Sequence, residues 1–389
     1  MPAKKRSTRP APIIALGTMT FGGQTSERDA AVMLDLFLAE GHTWVDTAFM
    51  YTEGRSETIL GRLLKGARRE RVFLATKAYP DRLGPGKPRG LTPGSVRGQL
   101  ETSLRRMKQE CVDVFYLHAP DNETPLEVTL ETCAALRAEG KLREIGMSNY
   151  ASWQVAEAVA ICLKNDWPAP IIYQGMYNAV TRDVERECIP ACRHFGVDFI
   201  AYNPLAGGLL TGKYADPAAQ PESGRFSGEY YRDRFWKQEY FAALQVLEEV
   251  AGGRDAAPHQ RFDKELSDNG SRDARAQHAA PLQRKDAGLR NSGSRRAGGR
   301  DAAPSRATRL SEAALRWLLH HSQSDGLVLG ASTVEHLKAN LAACRKGPLG
   351  MRLVAAFDEA WEIARPACQQ YFRNGATTLP PRVVGAKKN

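Results

Sequence analysis

The sequence of 389 residues lacks several features that would each mark a class of protein. No stretch approaches the roughly 18 consecutive apolar residues of a membrane-spanning helix, so we expect no membrane segment. The basic stretch 1–12 has no apolar core like that of a secretion signal, and we expect a disordered tail there. The seven cysteines are scattered and odd in number, and Cys188 and Cys192 have no second Cys or His pair at metal-ligand spacing. These absences favour a cytoplasmic protein with free thiols.

The net charge of +10 and the isoelectric point near 9.3 are typical of proteins that bind nucleic acids. The positive charge is unevenly distributed, however. Residues 251–308 hold 12 Lys and Arg and 7 Asp and Glu, so this segment alone contributes +5 of the +10. The rest of the chain is only mildly basic, which suits an anionic small molecule as well as RNA. We predict no nucleic-acid partner.

The segment 251–308 also lacks the apolar side chains that a folded segment needs. Its large apolar residues are Phe262, Leu266, Leu282 and Leu289. The octapeptide AGGRDAAP occurs in it twice, at 251–258 and at 297–304. Such a segment buries too little surface to offset its ordering entropy, and we predict a disordered insertion. A flexible loop, an Arg-rich partner-binding segment and translated non-coding sequence all fit, and the repeat favours the last.

Along the rest of the chain, short apolar runs alternate with amphipathic helical patterns. Ser26 and Thr92 are placed as helix caps, the latter followed by Pro93. Eight runs have the length of strands: 13–18, 42–47, 71–77, 112–118, 142–148, 170–176, 197–203 and 325–331. This order predicts a parallel (β/α)8 TIM barrel. An open doubly wound sheet is the alternative, but the phosphate loop expected after its first strand is missing.

The predicted barrel is a single domain made of two parts of the chain. It comprises 13–250 and 309–373, and the insertion precedes its eighth strand. C-terminal helices complete it, and 374–389 forms a tail.

Polar residues that carry chemistry stand where successive strands end. Asp46 ends the second strand, Lys77 the third and His118 the fourth, and Tyr51 follows Asp46 closely. Each residue alone has a structural explanation: a capping Asp, a Lys that reaches solvent, a hydrogen-bonded His. In a barrel of this type, however, the carboxyl ends of the strands form the active-site face. Three such residues at equivalent positions therefore indicate a catalytic site.

These residues suit an acid relay. A tyrosine titrates near pH 10, and a neighbouring ammonium group lowers that pKa. We predict that Asp46 holds Lys77, that Lys77 tunes Tyr51, and that Tyr51 donates a proton to an oxygen that His118 orients. The remaining requirement is a source of hydride. Ser148, Asn149, Gln174 and Tyr202, at the ends of the next strands, suit the carboxamide and the face of a nicotinamide ring.

The order of these motifs resembles the aldo-keto reductase superfamily, in particular the branch of aflatoxin-aldehyde and succinic-semialdehyde reductases. The motifs are VDTAFMYTEG (45–54), ATK (75–77), FYLHAPD (115–121), GMSNY (146–150), YQGMYN (173–178) and YNPLAGGLLTGKY (202–214). The resemblance implies an NADPH-dependent barrel that reduces small aldehydes to alcohols, and a homodimer. It implies that Asp46, Tyr51, Lys77 and His118 are the catalytic tetrad.

The resemblance also assigns binding residues. It implies that Asp46, Ser148, Asn149, Gln174 and Tyr202 hold the nicotinamide. The loop around the pyrophosphate would be Asn203, Pro204, Leu205, Ala206, Gly207, Gly208, Leu209, Leu210, Thr211, Gly212 and Lys213. Further cofactor contacts would be Arg225, Ser332, His336 and Asn340. The substrate contacts would be His118, Tyr231, Arg234 and Arg373.

Two alternatives stay open at this stage. The arginines would hold an acidic substrate group by bidentate pairing, or they are solvated surface charges. The chain is an aldehyde reductase, or it is a cofactor-binding regulatory subunit like the potassium-channel β-subunits of the same superfamily, or the insertion makes it non-functional.

The chain also departs from the resemblance: His336 and Ala339 stand where the family usually has Gln and Glu or Gln.

Overall fold

A closed barrel of eight parallel strands forms the centre of the protein. The computed structural model describes residues 11–80, 89–214, 216–219, 221–222, 224–251 and 306–373, and only the backbone of 306–309. Within these residues the strands follow one another in chain order, and the first pairs with the last. They are β1 (Ile13–Gly17), β2 (Trp44–Asp46), β3 (Phe73–Ala78), β4 (Val112–Leu117), β5 (Leu142–Ser148), β6 (Ile172–Met176), β7 (Asp198–Tyr202) and β8 (Gly326–Gly330).

Helices connect the strands, and the predicted (β/α)8 barrel is confirmed. They are α1 (Glu27–Ala39), α2 (Arg55–Leu63), α3 (Ala67–Glu70), α4 (Pro93–Met107), α5 (Leu126–Ala138), α6 (Ser152–Lys164), α7 (Cys188–His194), α8 (Glu229–Phe235), α9 (Gln238–Ala251), α10 (Arg306–His320), α11 (Val334–Cys344) and α12 (Met351–Ala364). Among the described helices, none is long and apolar enough to span a bilayer.

Local sequence signals mark the starts of α1 and α4. The Ser26 hydroxyl accepts a hydrogen bond of 3.1 Å from the Asp29 backbone N–H, which satisfies a free donor of the first turn of α1. Pro93 begins α4, as predicted. α2 ends at Leu63, and Gly66, with φ +51°, precedes the short helix α3.

Two apolar cores support the barrel. The smaller fills its interior and consists of buried residues from the strands: Ala15, Ala75, Val114, Tyr116, Ile172, Ile200 and Val328. The larger lies between the strands and the surrounding helices. Register then brings the strand ends together at one rim, where Ser148 is opposite Gln174 and Met176 is opposite Tyr202.

The predicted disordered insertion, 251–308, lies almost entirely outside the described residues. Ala251 is the last residue of α9, and residues 306–308 open α10, so helices extend into the predicted segment at both of its ends. The predicted tails, 1–12 and 374–389, lie outside the described residues except for 11 and 12.

Candidate active site

A cavity of about 510 Å³ opens at the carboxyl end of the barrel. The parallel strands place their polar terminal residues here, as in other barrels of this type. Most of the residues that the sequence nominated line it: Asp46, Tyr51, His118, Ser148, Asn149, Gln174, Tyr202, Asn203, Pro204, Leu205, Arg225, Tyr231, Arg234, Asn340 and Arg373.

The other nominated residues do not line this cavity. Lys77 is fully buried beneath it. Leu209 and Leu210 are fully buried in the larger core, so their side chains are unavailable to a ligand. Ala206, Gly207, Gly208, Thr211, Gly212 and Lys213 belong to or adjoin a 3-10 turn (Ala206–Thr211) that follows the lining residues. Ser332 and His336 lie at the start of α11, on whose buried side Asn340 reaches the cavity.

A buried ion pair joins the ends of β2 and β3. Lys77 Nζ donates hydrogen bonds to Asp46 Oδ1 and, at 2.8 Å, to the Thr47 carbonyl oxygen. Asp46 accepts a second hydrogen bond, of 2.9 Å, at Oδ2 from Gln174 Nε2. Burial lowers the pKa of Lys77, while the charge of Asp46 opposes that shift. The pair is therefore held by several contacts, which a buried pair needs in order to offset its desolvation.

Tyr51 stands over this pair in the turn after β2. Lys77 Nζ lies 5.1 Å from the centre of the Tyr51 ring. The pKa of Tyr51 is raised well above its ordinary value, first by burial and then by the charge of Asp46. The shift is therefore opposite to the expected lowering, because desolvation of the phenolate is the largest cause, and the charge that lowers this pKa is that of Arg373.

His118, the fourth residue of the predicted tetrad, lies beside Tyr51. Its ring meets that of Tyr51 edge-on, with the ring centres 6.0 Å apart. Burial lowers the pKa of His118 well below its ordinary value, and the charges of Lys77 and Arg373 add to this. Its Nδ1 is buried and has no hydrogen-bond partner among the described residues. His118 lines the cavity, and the N–H group of a neutral imidazole can orient the oxygen of a substrate.

The predicted carboxamide-binding residues are already hydrogen-bonded. Asn149 Nδ2 donates to the His118 carbonyl oxygen (2.8 Å) and to Ser148 Oγ (2.9 Å). Asn149 Oδ1 accepts a hydrogen bond of 2.6 Å from the Tyr202 hydroxyl, and Gln174 is bound to Asp46. Asn149 has φ +64°, a left-handed backbone conformation that asparagine tolerates. Hydrogen bonds therefore already hold these side chains in place, and their donors are not free.

Three arginines line the cavity and form no ion pair with a carboxylate among the described residues. Arg225, Arg234 and Arg373 are in no ion pair within the residues that the structure describes. Arg373 Nη1 donates to the Tyr79 hydroxyl (3.2 Å) and Nη2 to the Tyr230 hydroxyl (2.9 Å). Arg373 Nε is buried and has no partner among the described residues. Such unneutralised guanidinium groups favour an anionic ligand.

Several lining residues were missed by the sequence analysis. Tyr79 and Tyr230 contact Arg373, and Arg234 lies 4.3 Å from the centre of the Tyr230 ring. Both tyrosines had a signal: Tyr79 follows Lys77 by two residues, and Tyr230 precedes the nominated Tyr231. The remaining lining residues that were missed are Gly17, Met19, Thr20, Met50, Thr52, Val328 and Gly330.

The donor set fits a phosphate-bearing dinucleotide. Arg225 is a cation beside the end of β8: a side chain on Gly330 would place its first carbon 3.2 Å from Arg225 Nη2. Gly208 has φ +107°, and the space where its side chain would lie is open, with Lys213 Cε the nearest atom at 4.0 Å. An unpaired cation and open backbone on the adjoining turn leave room for a diphosphate.

Comparisons with known proteins agree with this geometry. Residues 13–260 and 294–362 match the sequence profile of the Aldo/keto reductase family. The human aflatoxin B1 aldehyde reductase member 2 is 44% identical over 382 residues, which cover 94% of this chain and 92% of the relative. Its mouse counterpart is 42% identical, covering 93% and 88%. The human aflatoxin B1 aldehyde reductase member 4 is 41% identical, covering 95% and 99%.

Proposed function

The chain belongs to the aldo/keto reductase family and is an oxidoreductase, and from this premise we propose that it reduces aldehydes to alcohols with NADPH, with Tyr51 as the proton donor. The observation that carries this proposal is the juxtaposition of Tyr51, His118 and the Asp46–Lys77 pair at one cavity. A carbonyl oxygen placed between Tyr51 and His118 can be oriented and protonated at the same point.

Each member of the tetrad has a distinct role. The high pKa of Tyr51, which burial causes, keeps its hydroxyl protonated at neutral pH. The ammonium group of Lys77 stabilises the phenolate that remains after Tyr51 has donated its proton. Asp46 keeps Lys77 charged and in place. Neutral His118 donates a hydrogen bond to the carbonyl oxygen.

NADPH supplies the hydride when it is bound. We assign its nicotinamide to Ser148, Asn149, Gln174 and Tyr202, which line the cavity next to the tetrad. Its phosphates are assigned to the loop 203–213 and Arg225, and its adenosine end to Ser332, His336 and Asn340. The Tyr202 ring is fixed by its hydrogen bond to Asn149, which holds a flat surface ready for stacking.

The substrates proposed are acidic aldehydes, aromatic aldehydes and dialdehydes. Arg234 and Arg373 provide positive charge, and Tyr79, Tyr230 and Tyr231 provide aromatic surface in the same cavity. Curated relatives named for the reduction of an aflatoxin aldehyde agree with a bulky aromatic substrate.

The catalytic unit proposed is the barrel 13–250 and 309–373, working as a homodimer in the cytoplasm. The segment 251–308 is proposed to be dispensable for catalysis. It enters between α9 and α10, and the tetrad residues come from β2 to β4 and the loops that follow them.

NADPH consumption with succinic semialdehyde and with 4-nitrobenzaldehyde tests the proposal. The forms compared are the full chain, a chain without 252–305, Tyr51→Phe, and Tyr150→Phe as the control. Tyr150 is a buried tyrosine outside the cavity. We expect turnover by all forms except Tyr51→Phe, whose kcat falls by about 100-fold or more. NADPH binding without turnover in both the full and the shortened chain would replace the reductase by a cofactor-binding module.

A further inference from the structure

The turn that carries Tyr51 has an uncommon backbone conformation. Thr52, Glu53 and Gly54 have φ values of +48°, +59° and +86°, so three consecutive residues are left-handed. Residues other than glycine rarely adopt this conformation, and it persists only where surrounding contacts enforce it. Thr52 supplies one such contact, since its hydroxyl donates a hydrogen bond of 2.7 Å to the Phe21 carbonyl oxygen.

Arg106, on α4, supplies contacts at both ends of this turn. Its Nη1 donates a hydrogen bond of 2.9 Å to the Phe49 carbonyl oxygen, and its guanidinium carbon lies 4.6 Å from the centre of the Phe49 ring. At the other end, a first side-chain carbon on Gly54 would lie 2.3 Å from that same guanidinium carbon. The guanidinium group therefore lies directly against the backbone before and after Tyr51.

Glu57, on α2, fixes Arg106 in this position. The Glu57 side chain is fully buried, and its Oε2 accepts a hydrogen bond of 2.9 Å from Arg106 Nη1. Its Oε1 accepts a hydrogen bond of 2.7 Å from the hydroxyl of Thr76, the residue before Lys77. Burial lowers the pKa of Lys77, and the charge of Glu57, together with that of Asp46, opposes this shift.

The geometry points to Arg106 and Glu57 as positioning residues for the reaction: Arg106 sets the position of Tyr51, and Glu57 links that position to Lys77 through Thr76. This inference rests on the proposed role of Tyr51. The Glu57–Arg106 pair is fully buried at Glu57 and about one quarter exposed at Arg106, and such a pair adds little net stability compared with apolar residues of similar volume. Its presence beside a strained turn is therefore better explained by the placement of the proton donor, since an error of about 1 Å costs up to ~100-fold in rate.

Arg106→Met tests the inference, with Arg105→Met as its matched control. Arg105 is the preceding residue of the same helix, is exposed, and bonds only to Thr102 on that helix among the described residues. We expect Arg106→Met to lower kcat by roughly 10- to 100-fold per folded molecule, with the KM for the aldehyde and the Kd for NADPH changed by no more than about threefold. Arg106→Lys keeps a charged donor and should restore part of kcat.

A double variant separates positioning from a general loss of structure. If Arg106 acts through Tyr51, Tyr51→Phe with Arg106→Met is no slower than Tyr51→Phe alone. Glu57→Gln provides a second variant should Arg106→Met fold poorly, and it should lower kcat in the same way. NMR of protein labelled with 13Cζ-tyrosine, recorded without NADPH, gives a direct measure of the surroundings of Tyr51, whose signal is assigned as the one missing in Tyr51→Phe. This signal should shift or broaden in Arg106→Met and stay in place in Arg105→Met.

The outcomes distinguish this inference from the proposed function. If Tyr51→Phe is slow while Arg106→Met and Glu57→Gln keep the kcat of the controls, the inference alone is overturned. Multiplicative losses in the double variant also overturn it. If Tyr51→Phe is as active as the wild type, the proposed function fails and the inference fails with it.

Discussion

Lys77 Nζ faces the ring of Tyr51 at 5.1 Å from its centre while it donates a hydrogen bond of 2.8 Å to the Thr47 carbonyl oxygen and another to Asp46. One ammonium group thus serves two purposes: it neutralises a buried carboxylate and places positive charge under the phenol. Stability and catalysis should therefore respond differently when the pair is altered.

Removing one member of the pair should destabilise the protein more than removing both. Lys77→Met leaves Asp46 buried without its cation, and we expect a loss of about 3–5 kcal/mol in the free energy of unfolding. Asp46→Asn with Lys77→Met removes both charges of the pair, so its loss should be smaller than that of Lys77→Met alone. Urea unfolding of the four forms measures this coupling. Additive losses would show that the two side chains do not depend on each other.

The titration of His118 should weaken the protein in acid. Burial holds the pKa of His118 well below its ordinary value near 6.5. As the pH falls below about 6.5, His118 takes up a proton in the unfolded chain but not in the folded protein. Protonation therefore stabilises the unfolded state, and the free energy of unfolding falls by up to about 1.4 kcal/mol per pH unit from this residue. His118→Asn should lose less stability than the wild type between pH 7.5 and pH 5.5 in urea unfolding. The exposed His194→Asn is the control, and equal losses in all three forms would contradict the prediction.

Tyr51 should remain a competent acid in mildly alkaline solution. Its pKa is raised well above 10, chiefly by burial, so it stays protonated where a free tyrosine begins to ionise. We expect kcat for aldehyde reduction to be nearly constant from pH 7 to pH 9, measured with NADPH and aldehyde both saturating. A decline by tenfold within this range would show that the donor ionises far below its expected pKa.

Arg373 should distinguish acidic from neutral aldehydes. Arg373 lines the cavity and has no carboxylate partner among the described residues, so its positive charge is available to an acidic aldehyde. A charge-assisted hydrogen bond contributes ~1.5–3 kcal/mol, and Arg373→Met should therefore raise the KM for succinic semialdehyde by roughly 10- to 100-fold. The KM for 4-nitrobenzaldehyde should change much less. Arg365→Met, at an exposed arginine paired with Glu362, is the control, and equal changes for both aldehydes would refute a carboxylate-binding role.

Gly61→Ala should destabilise the protein although it lies within a helix. Alanine is favoured over glycine in helices by ~1 kcal/mol. A first side-chain carbon at this position of α2, however, would lie 2.2 Å from the Arg106 carbonyl oxygen, because α2 and α4 approach each other closely here. We expect a net loss of roughly 1–3 kcal/mol. Thermal unfolding measures it, and Gly347→Ala, which has open space around it, is the control.

The barrel and the position of the tetrad could be predicted from the sequence because both depend on local patterns. Strand length and alternation identify parallel strands, and the carboxyl ends of parallel strands share one rim, so Asp46, Lys77 and His118 had to lie near one another. The strand order then needed no further information, since strands adjacent in the chain are adjacent in the barrel.

What the sequence did not reveal depends on burial and on contacts between distant segments. The direction of the Tyr51 pKa shift follows from burial in the folded protein, which raises this pKa more than the charge of Arg373, from the far end of the chain, lowers it. The hydrogen bond from the Tyr202 hydroxyl to Asn149 Oδ1 depends on the rotamers that both side chains adopt in the folded protein. Arg106 lies in the last turn of α4 and has no pattern that separates it from Arg105. Its contacts with Phe49, Gly54 and Glu57, which come from other elements, identify it.

The backbone N–H of Arg373 donates a hydrogen bond of 3.1 Å to the Asn149 carbonyl oxygen, and the barrel is closed by the pairing of β1 with β8. The rim of the cavity therefore contains residues from the first and the last stretches that the structure describes. During synthesis on the ribosome, the early segments emerge long before these late partners. A nascent chain that already carries Asp46, Tyr51, Lys77 and His118 should thus have no activity until β8 and the stretch through Arg373 have left the exit tunnel.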